Sequence, residues 1–343
     1  MDAWSFIHVA DIQPGSPKSF RYCADWMQNW QVAKDQIQDL QPDLVLVGGD
    51  LTRDGNVHRF EMEEMRAELE ELECPFHVVP GNMDTGNKHA HTDPEFRTAA
   101  GQYTSTELNV TSGQLRHFAD VFGPLWWSFD HKGVRFSGFA DMVVNSGLPE
   151  EEQFWRWAAV QAARPKPEHH VWTTHYALFS ERPDEPNWEV TDRAQYHDWY
   201  FTTDQPGRQR LFDLFQATGT THVISGHIHC RRTVWAEGIR FDYSPSTGFG
   251  QWGSRWPDGD DSLGFLHYHV SASGITCQFV PLAETFSGGE RYGLGAHPRP
   301  EMRDYSEAMD QSFAKTLGGS VPCLAEVGLD LPPPDEDGRL PSR

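Results

Sequence analysis

Five short runs in this chain share one design: apolar, often β-branched residues followed at once by side chains of the kind that bind metal ions. They are FIHVADIQ (residues 6 to 13), DLVLVGGD (43 to 50), FHVVPGN (76 to 82), HHVWTTH (169 to 175) and HVISGHIH (222 to 229). Each has the length of a buried strand. Residues 26 to 40, 57 to 72, 150 to 163 and 208 to 218 have apolar residues spaced near the helical period. Strands alternating with helices predict βαβ units and a largely parallel sheet, and such sheets bind ligands at the carboxyl ends of their strands. All five polar ends then fall on one edge, where a random scatter of Asp, Asn and His would not put them.

In the last run, His227 and His229 stand two apart behind Gly226. Residues i and i+2 of an extended segment face the same side, and neutral imidazole is the commonest protein metal ligand. Alone, the pair admits a surface or core reading as readily as a metal site. The matching donors at the other strand ends decide for metal. Further β-rich runs at 133 to 140, 232 to 243, 264 to 270 and 274 to 282 predict a second sheet packed on the first. Residues 83 to 130 are polar and turn-rich and read as an insertion near the site. From residue 284 the chain is rich in Gly and Pro and reads as an extension, 284 to 343, beyond a catalytic unit of residues 1 to 283.

A chain of 343 residues, 38% hydrophobic and 23% charged, can bury a large core. Its formal charge of −22 argues against duplex nucleic acid or an anionic membrane as partner, because both are held through Lys and Arg. A small anionic substrate would need a local cationic device, which bound metal ions supply. The amino-terminal residues do not read as a signal peptide, and the run LVLVGG is far too short to span a bilayer. Five scattered cysteines without a C-x-x-C fit reduced thiols in a cytoplasm. The oligomeric state is not legible.

In chain order the motifs are Asp11-x-Gln13, Gly49-Asp50-Leu51 with Gly55, Gly81-Asn82-Met83-Asp84, Thr174-His175 and Gly226-His227-x-His229. Their order and spacing resemble the calcineurin-like metallophosphoesterases, over roughly residues 5 to 282. SGLPEEEQFWRWAAVQAA (146 to 163) is similar to a helix entry of the cyclic-nucleotide phosphodiesterase branch. The resemblance implies an α/β fold, a four-layer α/β/β/α sandwich of two packed mixed sheets flanked by helices. It implies two divalent metal ions (Mn, Fe or Zn, with Mn favoured) bridged by Asp50. Asp11, Gln13 and His229 would complete the first metal; Asn82, His175 and His227 would complete the second. Asp50, Asn82, His175 and His227 are also the implied catalytic residues. Two cations would leave the pocket net positive, and a water bridging them would become the nucleophile that hydrolyses a phosphoester.

Two positions depart from the family pattern. Gln13 stands where the family most often has histidine; its amide oxygen can ligate and should favour Mn²⁺ or Mg²⁺ over Zn²⁺. Met83 stands where a histidine contacts the scissile phosphate and helps the leaving group depart, and a thioether cannot donate a proton. Losing a positioned acid costs about 10² to 10⁴ in rate. A substrate needing no acid, a substitute donor, or weak catalysis would each account for Met83. His89 and His91, just beyond the motif, are candidate substitutes or members of a solvated loop. Arg53 occupies the position where purple acid phosphatases carry a tyrosine ligand, which argues against a tyrosinate-bound ferric site.

The remaining candidates have blander readings beside the functional ones. His8 reads as a core residue, His169 and His170 as a strand entrance and Cys230 as a buried inert thiol. Arg231 and Arg232 either approach an anionic substrate or form surface ion pairs. Trp126, Trp127, Trp252 and Trp256 either line a pocket or fill the core, and SPSTGFGQWG (244 to 253) either lines the site or forms a turn. The sequence favours an enzyme acting on a phosphodiester or nucleotide-type ester, with a lower leaving-group pKa tolerating Met83. A binding or scaffold protein on a degenerate phosphoesterase fold is the alternative. An amidohydrolase would place its H-x-H on the first strand, not after the fifth.

Overall fold

The computed structural model describes residues 3–19, 21–89, 109–188 and 198–292. In chain order the elements are β1 (Trp4–Val9), β2 (Tyr22–Cys23), α1 (Ala24–Leu40), β3 (Leu44–Val47), α2 (Arg59–Glu70), β4 (Phe76–Val78), α3 (Asn82–Thr85) and α4 (Ser112–Phe122). They continue with β5 (Trp126–His131), β6 (Val134–Phe139), α5 (Pro149–Ala162), β7 (His169–Thr174), α6 (Gly207–Ala217) and β8 (His222–Ser225). The last are β9 (Arg232–Ala236), β10 (Ile239–Tyr243), β11 (Gly264–Ser271), β12 (Gly274–Pro281) and β13 (Arg291–Tyr292).

Two mixed sheets result, one ordered β12-β11-β1-β3-β4 and the other β5-β6-β7-β8-β10-β9. Strand alternation builds the layers. On β1 and β3, Phe6, Leu44 and Leu46 point between the sheets against Phe136, Val171 and Ile224 of the second sheet. Their neighbours Ile7, Val9, Val45 and Val47 point outward onto Trp30, Ala33 and Ile37 of α1 and Met62, Met65 and Leu69 of α2. These helical residues recur every three or four positions, so each helix presents one apolar stripe to the sheet. Phe139, Trp172, Val223 and Phe241 likewise cover Phe154 and Ala158 of α5 and Leu211 and Phe215 of α6. Phe6, fully buried, stacks on Tyr268 at 4.7 Å and meets Phe136 across the sheets edge-on at 5.0 Å. Burying such a ring contributes roughly 1.5–3 kcal/mol. The layers are therefore helix, sheet, sheet, helix, as the resemblance implies.

The assignment of strands to sheets differs from the sequence reading. The five polar-ended strands do not form one sheet: β1, β3 and β4 lie in the first, β7 and β8 in the second. Of the other β-rich runs, β6, β9 and β10 join the second sheet, whereas β11 and β12 complete the first through antiparallel pairing of β11 with β1. Central strands of both sheets are buried on both faces and read alike in sequence. Composition does not separate them.

Of residues 83 to 130, α4 caps itself through Thr111 Oγ1, which accepts from Gln114 N–H at 3.3 Å, and β5 is the edge of the second sheet. Residues 286 to 292 run back along the start of α1: Phe286 N–H donates to Asn29, Gly288 and Gly289 N–H donate to Asp25, and β13 pairs with β2. Residues 90–108, with His91, and 293–343 lie outside the described residues.

Candidate metal centre

The polar strand ends converge although their strands belong to two sheets. Asp11 and Gln13 follow β1, Asp50 follows β3 and Asn82 opens α3 after β4; His175 follows β7, and His227 and His229 follow β8. All seven side chains are buried. Five leave their strands in the left-handed region: Asp11 (φ 57°), Gln13 (48°), Asp50 (52°), His227 (71°) and His229 (50°). Such strain costs about 1–3 kcal/mol per residue and clusters where a site is built. It also corrects the geometry expected of the H-x-H pair. The two histidines share a site because left-handed turns on either side of Ile228 throw both inward, not because of an extended pleat.

Bonds between the loops fix these turns. Asp11 N–H donates to Gly49 O at 3.0 Å, and the N–H groups of Ile12 and Gln13 both donate to Asp50 O, at 3.0 and 3.2 Å. The 244 to 253 loop seats the first of them, with Ser246 Oγ donating to Asp11 O at 2.7 Å. Close approach is the reason for two glycines. A Cβ on Gly81 would stand 2.0 Å from Asp50 Oδ1, and one on Gly226 would stand 2.7 Å from Asp11 Oδ2.

Two donor groups result, Asp50 with His175 and His227, and Asp11 with Asp50 and His229. Within each group, the ligand atoms lie within 4.8 Å of one another, and Asp50 is common to both. The imidazoles are set for ligation by their outer nitrogens. His175 Nδ1 meets Gly48 O at 2.9 Å, His227 Nε2 meets Tyr200 O at 2.8 Å and His229 Nδ1 meets Phe249 O at 2.9 Å. A carbonyl only accepts, so each outer nitrogen carries the proton and the inner nitrogen is left for a cation. Asn82 turns Oδ1 inward, 2.8 Å from His175 Nε2, and donates from Nδ2 to the Tyr200 hydroxyl at 3.0 Å.

Gln13 differs from its expected orientation. Its Nε2 donates to Asp50 Oδ2 at 2.6 Å and lies 3.3 Å from His229 Nε2, while Oε1 accepts from Arg53 Nη1 at 2.8 Å. Guanidinium offers only donors, so Arg53 claims the amide oxygen that would otherwise ligate. Ligation by Gln13 requires the amide to turn over and Arg53 to release it. Arg53 itself lies over Trp26 (4.9 Å) and Phe249 (5.6 Å), which stack on each other at 4.3 Å.

Carboxylates dominate the electrostatics of the site. Burial alone would depress His175, but Asp50, Asp11 and Asp141 override it and raise its pKa to about 10. Burial pushes Asp50 up, yet the His175 charge and hydrogen bond, His227 and the Met83 N–H hold it below the usual carboxylate range. Burial also drives His227 well down, helped by His175. Burial, reinforced by Asp50, raises Asp84 to about 7, and burial raises Asp141 to about 7. A proton on His175 supplies positive charge where these donors would otherwise hold cations. The donor set, the pinned imidazoles and the clustered carboxylates all fit two divalent metal ions.

Met83 is buried, its N–H donating to Asp50 Oδ1 at 2.8 Å and its Sδ receiving Arg21 Nη2 at 3.6 Å. His89 is bonded to Val110 O at 3.0 Å. His8 is a core residue on Ser244 Oγ, and Cys230 is a buried thiol raised to about 11 by burial. Arg231 pairs with Asp260, and Arg232 with Asp258 and Glu181. Trp126 and Trp127 belong to the edge strand β5, and Trp256 is core; Trp252 packs on Phe201, beside His227. Sequence reasoning missed Asp141, which accepts the N–H groups of His175 (3.0 Å) and Tyr176 (2.7 Å), and it missed Tyr200. Asp141 had a signal, since it follows the apolar run 133 to 140 as the other donors follow theirs. Tyr200 had none.

Two buried candidate donor sets that share one aspartate thus lie at the strand ends of a helix-flanked pair of mixed sheets. The chain belongs to the calcineurin-like phosphoesterase family, whose model matches residues 5–231. Strands β11 and β12, which complete the first sheet, lie beyond the matched region. Among solved structures it is similar to GAP50, the anchor in the inner membrane complex of Plasmodium, at 13% identity and TM-score 0.50, over 94% of this chain and 96% of that one. It is also similar to the purple acid phosphatase PPD1 of yellow lupin (Lupinus luteus) seeds, at 13% identity and TM-score 0.52, over 83% of this chain and 52% of that one. At such identity these likenesses concern the fold alone. A search of the curated proteins finds no match. Among the described residues, no helix is long and apolar enough to cross a membrane.

Proposed function

We propose that this chain is a metal-dependent hydrolase of phosphoesters that favours a phosphodiester or nucleotide-type substrate. One observation carries the reading: two buried donor sets share Asp50, the arrangement that holds two cations side by side. Asp11, Asp50 and His229 would hold one, and Asp50, Asn82, His175 and His227 the other, with Gln13 joining the first only if Arg53 lets it turn. When bound, two divalent cations acidify a water and neutralise the phosphoryl oxygens during in-line displacement. Mn²⁺ is the favoured metal, on the ground that Gln13 would offer an amide oxygen in place of an imidazole at the first position.

The residues themselves supply orientation. Gly48, Tyr200 and Phe249 carbonyls fix the tautomer and angle of the three imidazoles, and the Met83 and Gln13 N–H groups hold both oxygens of Asp50. Arg53, whose guanidinium lies over the stacked Trp26 and Phe249 rings and holds the Gln13 oxygen, would offer charge and aromatic surface to an anion that bears a ring. Residues 1 to 283 are taken as the catalytic unit, with 284 to 343 as an extension. The four described cysteines, none of them paired, support a reducing, cytoplasmic setting. A scaffold role on a retired site competes with this reading, but a retired site would shed carboxylates and histidines as readily as it keeps them.

The test uses nitrophenyl esters, one phosphodiester and one phosphomonoester, with chelator-stripped protein resupplied with Mn²⁺ and with an Asp50→Asn variant alongside. Metal-dependent turnover that Asp50→Asn abolishes supports the hydrolase. Folded, metal-loaded protein that turns over neither ester overturns it.

A further inference from the structure

Residues 286 to 292 run back along α1 and reach the metal centre through its first turns. Asp25, buried, takes the N–H groups of Gly288 and Gly289 at 3.0 and 2.9 Å, and Ala24 N–H donates to Glu290 O at 2.9 Å. One turn on, Asn29 is also buried and faces both ways. Its Oδ1 accepts from Phe286 N–H at 2.8 Å, and its Nδ2 donates to Gly248 O at 3.2 Å. A backbone N–H only donates and a carbonyl only accepts, so the returning segment decides which end of the carboxamide meets Gly248. Trp26, three residues before Asn29 and so on the same side of α1, stacks on Phe249 at 4.3 Å.

Gly248 and Phe249 are the residues that hold His229. Gly248 N–H donates to Asp11 O at 3.1 Å, and a Cβ on Gly248 would stand 2.7 Å from Ile12 O, so the loop sits hard against the Asp11 turn. Phe249 N–H donates to Ser246 Oγ at 3.1 Å. The peptide between the two residues is therefore fixed at its carbonyl by Asn29 and at its nitrogen by Ser246, and the next carbonyl, Phe249 O, is aimed at His229 Nδ1, 2.9 Å away. We propose that Asn29 is a positioning residue for the metal centre, set by residues 286 to 292, which lie outside the 1 to 283 unit. The proposal rests on the two-cation reading above and divides the two cation positions. The Asp11 and His229 position depends on the returning segment, whereas the His175 and His227 position does not, its imidazoles being fixed by the Gly48 and Tyr200 carbonyls.

The test uses two variants of the full-length protein. Asn29→Leu keeps the volume and removes both bonds. Gly289→Val alters neither α1 nor any donor, but its Cβ would stand 2.7 Å from Asp25 Oδ1, so the returning segment must lift. Isothermal titration with Mn²⁺ should show one cation weakened about 10- to 100-fold in both variants and the other held to within about twofold, with His229→Ala marking which cation is lost. In metal-free protein, amide hydrogen exchange at Gly248 and Phe249 should quicken in both variants, while Val270, in β11, keeps its rate. Two cations held as tightly as before, or both weakened alike, would overturn the proposal. So would unaltered exchange at Gly248 and Phe249. If the unaltered protein binds fewer than two cations, the two-cation reading falls, and exchange at Gly248 and Phe249 alone then decides whether Asn29 positions the Phe249 carbonyl.

Discussion

Replacing Gly81 with alanine should dismantle the metal centre through a single methyl group. Gly81 has φ −103° and ψ −179°, a backbone that alanine adopts freely, so the effect is steric alone. The added Cβ would lie 2.0 Å from Asp50 Oδ1, 2.2 Å from Asp50 N and 2.7 Å from Asp50 Cγ, against an ordinary contact of at least 3.4 Å. The carboxylate must retreat by more than 1 Å to reach that contact. It has nowhere to go, because Oδ1 accepts from Met83 N–H and Oδ2 from Gln13 Nε2. Overpacking of this kind costs about 1–3 kcal/mol of stability, and a 1 Å misplacement costs about 10² in rate. Both cations share Asp50, so both should be weakened. Isothermal titration with Mn²⁺, beside denaturant unfolding, reads the two effects separately. Gly113→Ala is the control: its Cβ meets only Thr111 Oγ1, at 3.6 Å, and lies in α4, where alanine gains up to about 1 kcal/mol. Undiminished binding of two cations by Gly81→Ala would refute the claim that this glycine exists to admit Asp50.

Three further outcomes follow from groups elsewhere. Burial lowers His170 to about 4, so between pH 6.5 and 4 the unfolded chain binds a proton that the folded one refuses. Stability is intact above 6.5 and falls on acidification by about 1.4 kcal/mol per pH unit, a slope that His170→Asn should reduce in denaturant titrations. Arg21 pairs with Asp54 at 2.7 Å, both side chains buried; Arg21→Met should cost about 3–5 kcal/mol in the same assay, because it strands a buried carboxylate. Arg53→Met should free the Gln13 amide to turn its oxygen inward. Mn²⁺ should then bind more tightly at the Asp11 and His229 position, read as a lower Kd for one of the two cations; an unchanged Kd would mean that Arg53 does not govern Gln13.

Much of the site was legible because each donor follows its strand directly, and strand ends are the places where apolar runs stop. Asp50, His175, His227 and His229 could be read from that juxtaposition alone. The division of the strands between two sheets could not, because Val45 and Val171 sit in equally apolar surroundings and only long-range pairing distinguishes them. The four helices were legible to within about two residues at each end, since Trp30, Ala33, Ile37 and their counterparts repeat at the helical period. Gln13 shows a different limit. Its residue type allows two orientations, and the choice is made by Arg53, 40 positions away. Tyr200 acts partly through its backbone carbonyl, which any residue would possess, and so leaves no trace in the sequence.

Counting metal ions tests the two-cation site without depending on any substrate. Chelator-stripped protein titrated with Mn²⁺ and followed by electron paramagnetic resonance should take up two equivalents and give the spectrum of a spin-coupled pair, which Asp50→Asn should convert to uncoupled or missing ions. Binding of one ion, of none, or of two that do not couple would contradict a centre bridged by Asp50.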